Sequence, residues 1–477
     1  MPFSPSFRPS VSHASLGGAF FDEVAAAKFP EHILRFRNQR AAASVGLDGL
    51  TEDEWVNHFG RFLALPGSFE KPLALRYHGH QFRSYNPDLG DGRGFLFAQM
   101  HDLRDGRLLD LGTKGSGRTP WSRTADGRLT LKGGVREILA TEMLEALGVD
   151  TSKTLSLIET GEQLARGDEP SPTRSAVMVR LSHSHVRIGS FQRLLYLDET
   201  DNIAKLLDYT IGTYMPGIWH DDIARRAVAF LEEVSRQVAV TGAAWMLAGF
   251  VHGVLNTDNI NVTGESFDYG PWRFLPTLDP AFTAAYFDDT GLYAYGRQPD
   301  TLLWNLTRLA ECLLPFAGQA ELETVLRGFE PKFQQAFNAA MLRRLGVQSA
   351  GESADTELVR SVWKFMLETK APFEQVFFDW YGGLESETRA VQSLAATHYA
   401  SPAFAPVHAA LSGHEPAPGI RLDHPYFTRK MPCTMLIDQV EAIWTPIAEA
   451  DDWSAFHGRL DEISAMREAY ATVTAGS

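Results

Sequence analysis

Asn259 and Asp268 are hard oxygen donors of the kind that suit Mg2+, with Mn2+ as the alternative. Asp258, next to the first of them, is placed to take a proton from a hydroxyl group. They belong to the run His252-Gly253-Val254-Leu255-Asn256-Thr257-Asp258-Asn259, followed by Asp268-Tyr269-Gly270. Seen alone, Asn-Thr-Asp-Asn is a common way to cap a loop. Upstream, Lys114 closes a strand candidate and Glu137 lies early on the helix that follows. A strand lysine steadied by a helix glutamate can hold nucleotide phosphates, whereas an exposed pair of this kind does little. Two glycine-rich runs accompany that lysine, Leu89-Gly90-Asp91-Gly92-Arg93-Gly94 and Lys114-Gly115-Ser116-Gly117-Arg118. Their backbone N–H groups can approach phosphate closely and Arg93 adds a planar donor fork; a plain tight turn is the other reading. Asp126-Gly127 also reads as a hairpin turn. Arg180 and Arg187, on either side of His183-Ser184-His185, suit a polyphosphate or an exposed surface. His78, His80, His183 and His185 are not read as metal ligands, because no cysteine or further carboxylate cluster accompanies them.

The order Lys, Glu, Asn, Asp resembles the working parts of a protein kinase. Kinases write the catalytic loop as H-x-D-x-x-x-x-N and the metal loop as D-F-G. Here Val254 stands where the proton-accepting Asp would be, and it can take no proton. Asn259 fills the Asn position, and Asp268-Tyr269-Gly270 replaces D-F-G. The metal-binding half is kept while the usual base is lost. Such a chain is either catalytically dead or runs a different reaction with Asp258 as its base.

Positioning these residues takes a small sheet and a helical body. From 73 to 190 the sequence alternates short apolar runs with Gly and Asp-Gly turns. Strands are expected over 93–103, 108–114 and 175–181, the first two joined by Arg104-Asp105-Gly106-Arg107. Ile138, Leu139, Met143, Leu144 and Leu147 share one face of a helix over 134–147, stopped by Gly148. From Asp221 the texture turns helical, with helices expected over 223–250, 301–316, 322–345 and 355–367. Residues 411–425 read as a linker or ordered loop, and a last helical pair over 433–444 and 453–473 is broken at Pro446. This predicts an α+β, protein-kinase-like bilobal fold. Its parts are a leader over 1–60, a β-rich N-lobe with one key helix over 61–193, a mainly helical C-lobe over 194–410 and a divergent helical extension over 411–477.

A net charge of −15 argues against nucleic acid as the main partner, since phosphate backbones select basic surfaces. The chain has 44% hydrophobic and 22% charged residues, ordinary for a globular protein with a sizeable core. Cys312 and Cys433 have no ligand spacing and fit a reducing compartment. Without a signal-like start or a membrane-length apolar run, the expectation is a cytoplasmic protein with no membrane partner.

Further words make the comparison sharper. They are Tyr77-His78-Gly79-His80-Gln81-Phe82, Leu89-Gly90-Asp91-Gly92-Arg93, Lys114-Gly115-Ser116-Gly117 and Thr119-Pro120-Trp121-Ser122-Arg123. Asp126-Gly127-Arg128, Arg136-Glu137-Ile138-Leu139-Ala140 and Arg187-Ile188-Gly189-Ser190-Phe191 follow, ahead of the two loops already quoted. In this order, across about residues 75 to 275, they resemble the selenoprotein O family of protein adenylyltransferase pseudokinases. The resemblance implies a kinase-like fold that binds ATP back to front, so that AMP passes to a Ser, Thr or Tyr hydroxyl of an acceptor protein. It further implies Asp258 as proton acceptor and Asn259 and Asp268 as Mg2+ ligands. Gly90, Gly92, Arg93, Lys114, Asp126, Gly127, Arg180 and Arg187 become nucleotide contacts, with Glu137 orienting Lys114.

The chain departs from the family pattern at Lys132-Gly133-Gly134-Val135 and Arg83-Ser84-Tyr85-Asn86-Pro87. Its C-terminal third matches poorly, and the sequence ends Thr472-Val473-Thr474-Ala475-Gly476-Ser477 without a terminal Cys, so redox control through such a tail is not expected. Two other activities share the same binding residues: a nucleotide-binding scaffold without turnover, and a conventional phosphotransferase. The second is disfavoured by Val254.

Overall fold

The computed structural model describes residues 4–167 and 169–471. Its first half is built on one antiparallel sheet. In spatial order the strands are Phe21–Glu23, Leu73–Leu75, Leu96–His101, Leu108–Lys114, Thr173–Ser182, Lys153–Leu164 and Ile33–Arg37. Pro9–Ser10 and Leu129–Thr130 add short pairings to it. The expected hairpin turn is present, with Gly106 at φ 76°, and residues before 60 supply strands of the same sheet. Lys153–Leu164, the longest strand, was not expected from the sequence. Seven consecutive residues of it are buried, so neither face shows the polar alternation that marks a half-exposed strand.

The key helix spans Leu131–Ala146 and begins earlier than its apolar spacing suggests. Thr130 caps it, its hydroxyl accepting from the Gly133 N–H at 3.1 Å. Gly134 lies inside the helix because a Cβ there would come within 2.4 Å of Leu157 Cδ1 on the long strand. The missing side chain lets helix and sheet close together.

The second half is helical, and the α+β, two-part plan follows the expectation. Ile223–Leu247 is the longest helix among the described residues and ends sooner than expected, because Gly249 turns the chain at φ 64°. Against it pack Gln298–Leu313, Gln319–Arg327 and Phe329–Leu345, and Glu352–Thr369 packs in turn on Phe329–Leu345. Gly328 divides what the periodicity presents as one helix over 322–345.

Pro446 does not break the C-terminal pair. Ile437–Ala450 runs through it and ends at Asp451, with φ 51°. Burial of Val440, Ile443 and Ile447 on one face outweighs the single hydrogen bond that the proline removes. The last helix, Ser454–Tyr470, lies along the key helix, and Arg467 pairs there with Glu142 and Glu145. Lys132 reaches Glu441 at 2.7 Å. The C-terminal pair therefore braces the key helix of the sheet half. Residues 472–477, with the expected end of that helix and the tail, lie outside the described residues. No helix among the described residues is long and apolar enough to cross a membrane.

Candidate active site

Strand Phe250–His252 pairs antiparallel with Trp272–Phe274. Everything between them is thus one closed excursion, and it carries Asp258, Asn259 and Asp268. The helical half holds it by side chains. Gln298 accepts from the His252 N–H at 3.0 Å, Asn305 donates to the Leu255 carbonyl at 3.0 Å, and the Tyr293 hydroxyl donates to Asn256 Oδ1 at 2.6 Å.

From the sheet half come the cations. Lys114 ends its strand with Nζ 2.6 Å from Glu137 Oε2 and 3.2 Å from Asp268 Oδ1. Arg180 Nη1 lies 3.2 Å from Glu137 Oε1 and 3.3 Å from Asp268 Oδ1. Arg187 is 3.6 Å from Asp268 Oδ2 and 3.4 Å from Asp91 Oδ1, and it donates to the Asp258 carbonyl at 3.3 Å. Both guanidiniums are buried and lie over the Phe267 ring. Arg187 also covers Tyr77, at 4.2 Å from the ring centre.

The two aspartates respond oppositely to burial. Burial raises the Asp268 pKa, but Lys114, Arg180 and Arg187 outweigh it and hold the carboxyl well below its usual range. Burial pushes Asp258 up to about 7, opposed mainly by Arg187 and reinforced by the like charge of Asp268. Asp258 Oδ1 is buried with no hydrogen-bond partner among the described residues.

Of these groups, Lys114, Arg180, Arg187 and Asp268 border a cleft of about 320 Å3, lined also by Tyr77, residues 88–94, Trp121, Arg123 and Ala125, and Asp258 does not line it. Gly90 and Gly92 have a packing reason to be glycine. A Cβ on Gly90 would fall 2.5 Å from Trp121 Cγ, and one on Gly92 would fall 2.9 Å from the Trp121 carbonyl oxygen. Of the residues singled out in the sequence, Gly90, Gly92, Arg93, Lys114, Arg180, Arg187 and Asp268 border the cleft, and Glu137 supports it from behind. Asp126 and Gly127 directly follow Ala125, which lines the cleft, without lining it themselves. Asp126 binds the Arg166 fork, and Gly127 accepts from the Gly117 N–H at 3.2 Å. Asn259 borders a separate small cavity with Trp245 and Leu302. Its Oδ1 is buried and has no hydrogen-bond partner among the described residues.

Sequence reasoning did not assign Asp91, Phe267 or Arg123. Their signal was position: Asp91 lies inside a glycine-rich run, Phe267 precedes Asp268, and Arg123 closes a quoted word. Among the described residues, no group of three His, Cys, Asp or Glu side chains could hold a metal ion by itself. The Asp268 carboxylate and the orphaned Asn259 amide oxygen are each hard oxygen donors of the kind a divalent cation takes alongside phosphate and water, and they line different cavities.

The family model for protein adenylyltransferase SelO matches residues 5–464. The chain belongs to the SelO family. Membership makes it an enzyme of the nucleotidyltransferase type, with ATP as substrate. It is 45% identical over 99% of its length to a protein nucleotidyltransferase YdiU of Gloeobacter violaceus, covering 96% of that protein. It is 42% identical to the Synechocystis protein of the same name, over 96% of this chain and 98% of that one. The C-terminal third, expected to match poorly, lies largely inside the SelO match.

Proposed function

We propose that this SelO-family chain transfers AMP from ATP to a Ser, Thr or Tyr hydroxyl of an acceptor protein, with the triphosphate entering the cleft first. The supporting observation is the buried cation group Lys114, Arg180 and Arg187 at the inner end. An adenine ring seeks apolar walls, and charged groups repay their desolvation only against an anion. Polyphosphate is therefore the group that suits this end, and the α-phosphate then lies outward, toward the acceptor.

Asp258 takes the proton of the acceptor hydroxyl. The hydroxyl oxygen attacks the α-phosphorus, the bond from that phosphorus to the bridging oxygen breaks, and pyrophosphate leaves with the bond pair. A carboxyl held near 7 is matched to this task at neutral pH. The back-to-front nucleotide makes a base at Val254 unnecessary. Asn259 and Asp268 would hold Mg2+, or Mn2+, which when bound neutralises charge on phosphate oxygens. Glu137 orients Lys114, and Gly90, Gly92 and Arg93 contact the nucleotide. In this reading 61–193 and 194–410 form the two lobes, with 1–60 as a leader packed on the first and 411–477 as a C-terminal extension. We place the protein in the cytoplasm, where the free, buried Cys312 and Cys433 stay reduced.

The test is incubation with Mg2+ and ATP labelled at the α- or the γ-phosphate. Label from the α position on the protein itself or on an added acceptor is expected. Label from γ alone would make it a phosphotransferase, and absence of both a scaffold.

A further inference from the structure

Three aromatic rings stand uncovered at one edge of the catalytic loop. Phe82 is 38% exposed, Phe287 45% and Tyr286 84%. They form one chain of contacts, with Phe82 5.9 Å from Phe287 and Phe287 5.1 Å from Tyr286 between ring centres. Apolar side chains left in water next to a reacting group mark an interaction surface rather than a folding need.

The patch is tied to Asp258 by short bonded paths. The hairpin pairing Gly79–Gln81 with Ser84–Asn86 walls that carboxylate, since a Cβ on Gly79 would lie 2.8 Å from Asp258 Oδ1. The His80 N–H donates to Thr257 Oγ1 at 2.8 Å, directly beside Asp258 in the chain. At the hairpin tip, Phe82 and Arg83 adopt φ of 48° and 63°, a backbone that side-chain-bearing residues rarely take. The Phe82 N–H is held there by Asn256 Oδ1 and the Tyr293 hydroxyl, both at 3.2 Å. The other side is equally fixed. Asp288 accepts from the Leu292 and Tyr293 N–H groups at 2.8 Å each, which shapes the turn that presents Tyr286 and Phe287. Two separate segments thus hold their aromatic rings outward and converge on Asn256, two residues from the proposed base.

We propose that Phe82, Tyr286 and Phe287 form the acceptor platform, which receives a large apolar side chain flanking the hydroxyl to be modified. This inference rests on the AMP-transfer reading and adds the chemistry of the acceptor: a polypeptide segment with an aromatic or branched aliphatic residue near its Ser, Thr or Tyr. Continuity with the catalytic loop decides the occupant, because any chain delivering a hydroxyl to Asp258 must cross the rim that the hairpin and the 286–293 turn provide.

The test uses the full chain, α-labelled ATP and a set of synthetic peptides, each with one hydroxyl residue and an apolar, polar or charged residue at each flanking position. The expected result is preferential labelling of peptides with apolar flanks. Phe287→Ala and Phe82→Ala should each raise the peptide KM by about tenfold, the effect of losing one well-packed aromatic anchor. The KM for ATP and the kcat at saturating peptide should stay near the parent values, which a general structural defect would not allow. Phe82→Leu, which keeps an apolar side chain at the strained position, should restore most of the loss. Equal labelling of all flanks, or an unchanged peptide KM in both alanine variants, overturns the platform while leaving AMP transfer intact. Concentration-dependent dimerisation that is lost in Tyr286→Ser and Phe287→Ala also overturns it, by assigning the patch to a second copy of this chain. No α-label on any peptide or on the parent protein overturns the AMP-transfer reading itself, and the platform with it.

Discussion

The loop around Asp258 and the loop around Asp268 belong to one excursion between two paired strands, yet they treat a carboxylate in opposite ways. Asp268 meets three cations within 3.6 Å and is held ionised. Asp258 is buried beside it with an unpartnered oxygen and is pushed up to about 7. Burial acts on both; counter-charge decides the direction. One position is thereby suited to holding a cation and phosphate, the other to accepting and releasing a proton. Chain neighbourhood counts for little here, because Lys114, Arg180 and Arg187 all arrive from the sheet half.

The sharpest way to break this contrast is Asp268→Ala. It removes the proposed cation ligand and leaves Lys114, Arg180 and Arg187 uncompensated, so AMP transfer should fall by more than about 10³-fold. Label transfer from α-labelled ATP measures it, and substantial residual activity would contradict the role. Asp258→Asn comes next. Loss of a general base should lower kcat by about 10²–10⁴-fold while the KM for ATP changes little. Full activity would remove Asp258 from the reaction.

Glu137→Gln probes the support behind the cleft. Leaving Lys114 and Arg180 short of a buried partner should destabilise the fold by about 3–5 kcal/mol, read from denaturant unfolding. An unchanged midpoint would show that Asp268 alone suffices to compensate both cations.

Glu145 extends the same rule away from the site, with a smaller effect. Burial raises its pKa, but Lys153, Arg40 and Arg467 outweigh this and bring it to about 2. Its folded-state pKa is therefore below the unfolded value. The stabilisation is fully present above about pH 4.5 and is lost as pH falls toward about 2. Glu145→Gln should cost about 1–3 kcal/mol at neutral pH and flatten that acid slope. Identical slopes in parent and variant would assign the acid sensitivity to other groups.

Much of the site was legible in the sequence because its residues sit in short words. Lys114 ends an apolar run, Glu137 follows early in an amphipathic helix, and Asp268 stands in a recognisable tripeptide. Asp126 and Gly127 share that legibility, yet they stand next to the cleft-lining Ala125 rather than on the cleft wall, with Arg166 pairing with the carboxylate. Spacing alone could not reveal this, since a turn word says nothing of the direction it faces. The strand Lys153–Leu164 escaped for a different reason. With seven consecutive residues buried, it offers no alternation.

By itself the sequence determined the chemistry at hand: a hard-oxygen pair, a lysine with its glutamate, a spare aspartate and a valine where a kinase keeps its base. It also determined the alternation of strand and helix that makes an α+β chain. Tertiary structure alone decided which charges meet. Arg180 and Arg187 both pair with the Asp268 carboxylate, while Asp258 receives Arg187 at its carbonyl. It also decided that the C-terminal helices return to brace the helix carrying Glu137, and that three aromatic rings remain uncovered at the edge of the loop carrying Asp258. The physical reason is range. Propensity and periodicity are local, whereas electrostatic pairing and burial depend on residues that the chain brings together only when it closes on itself.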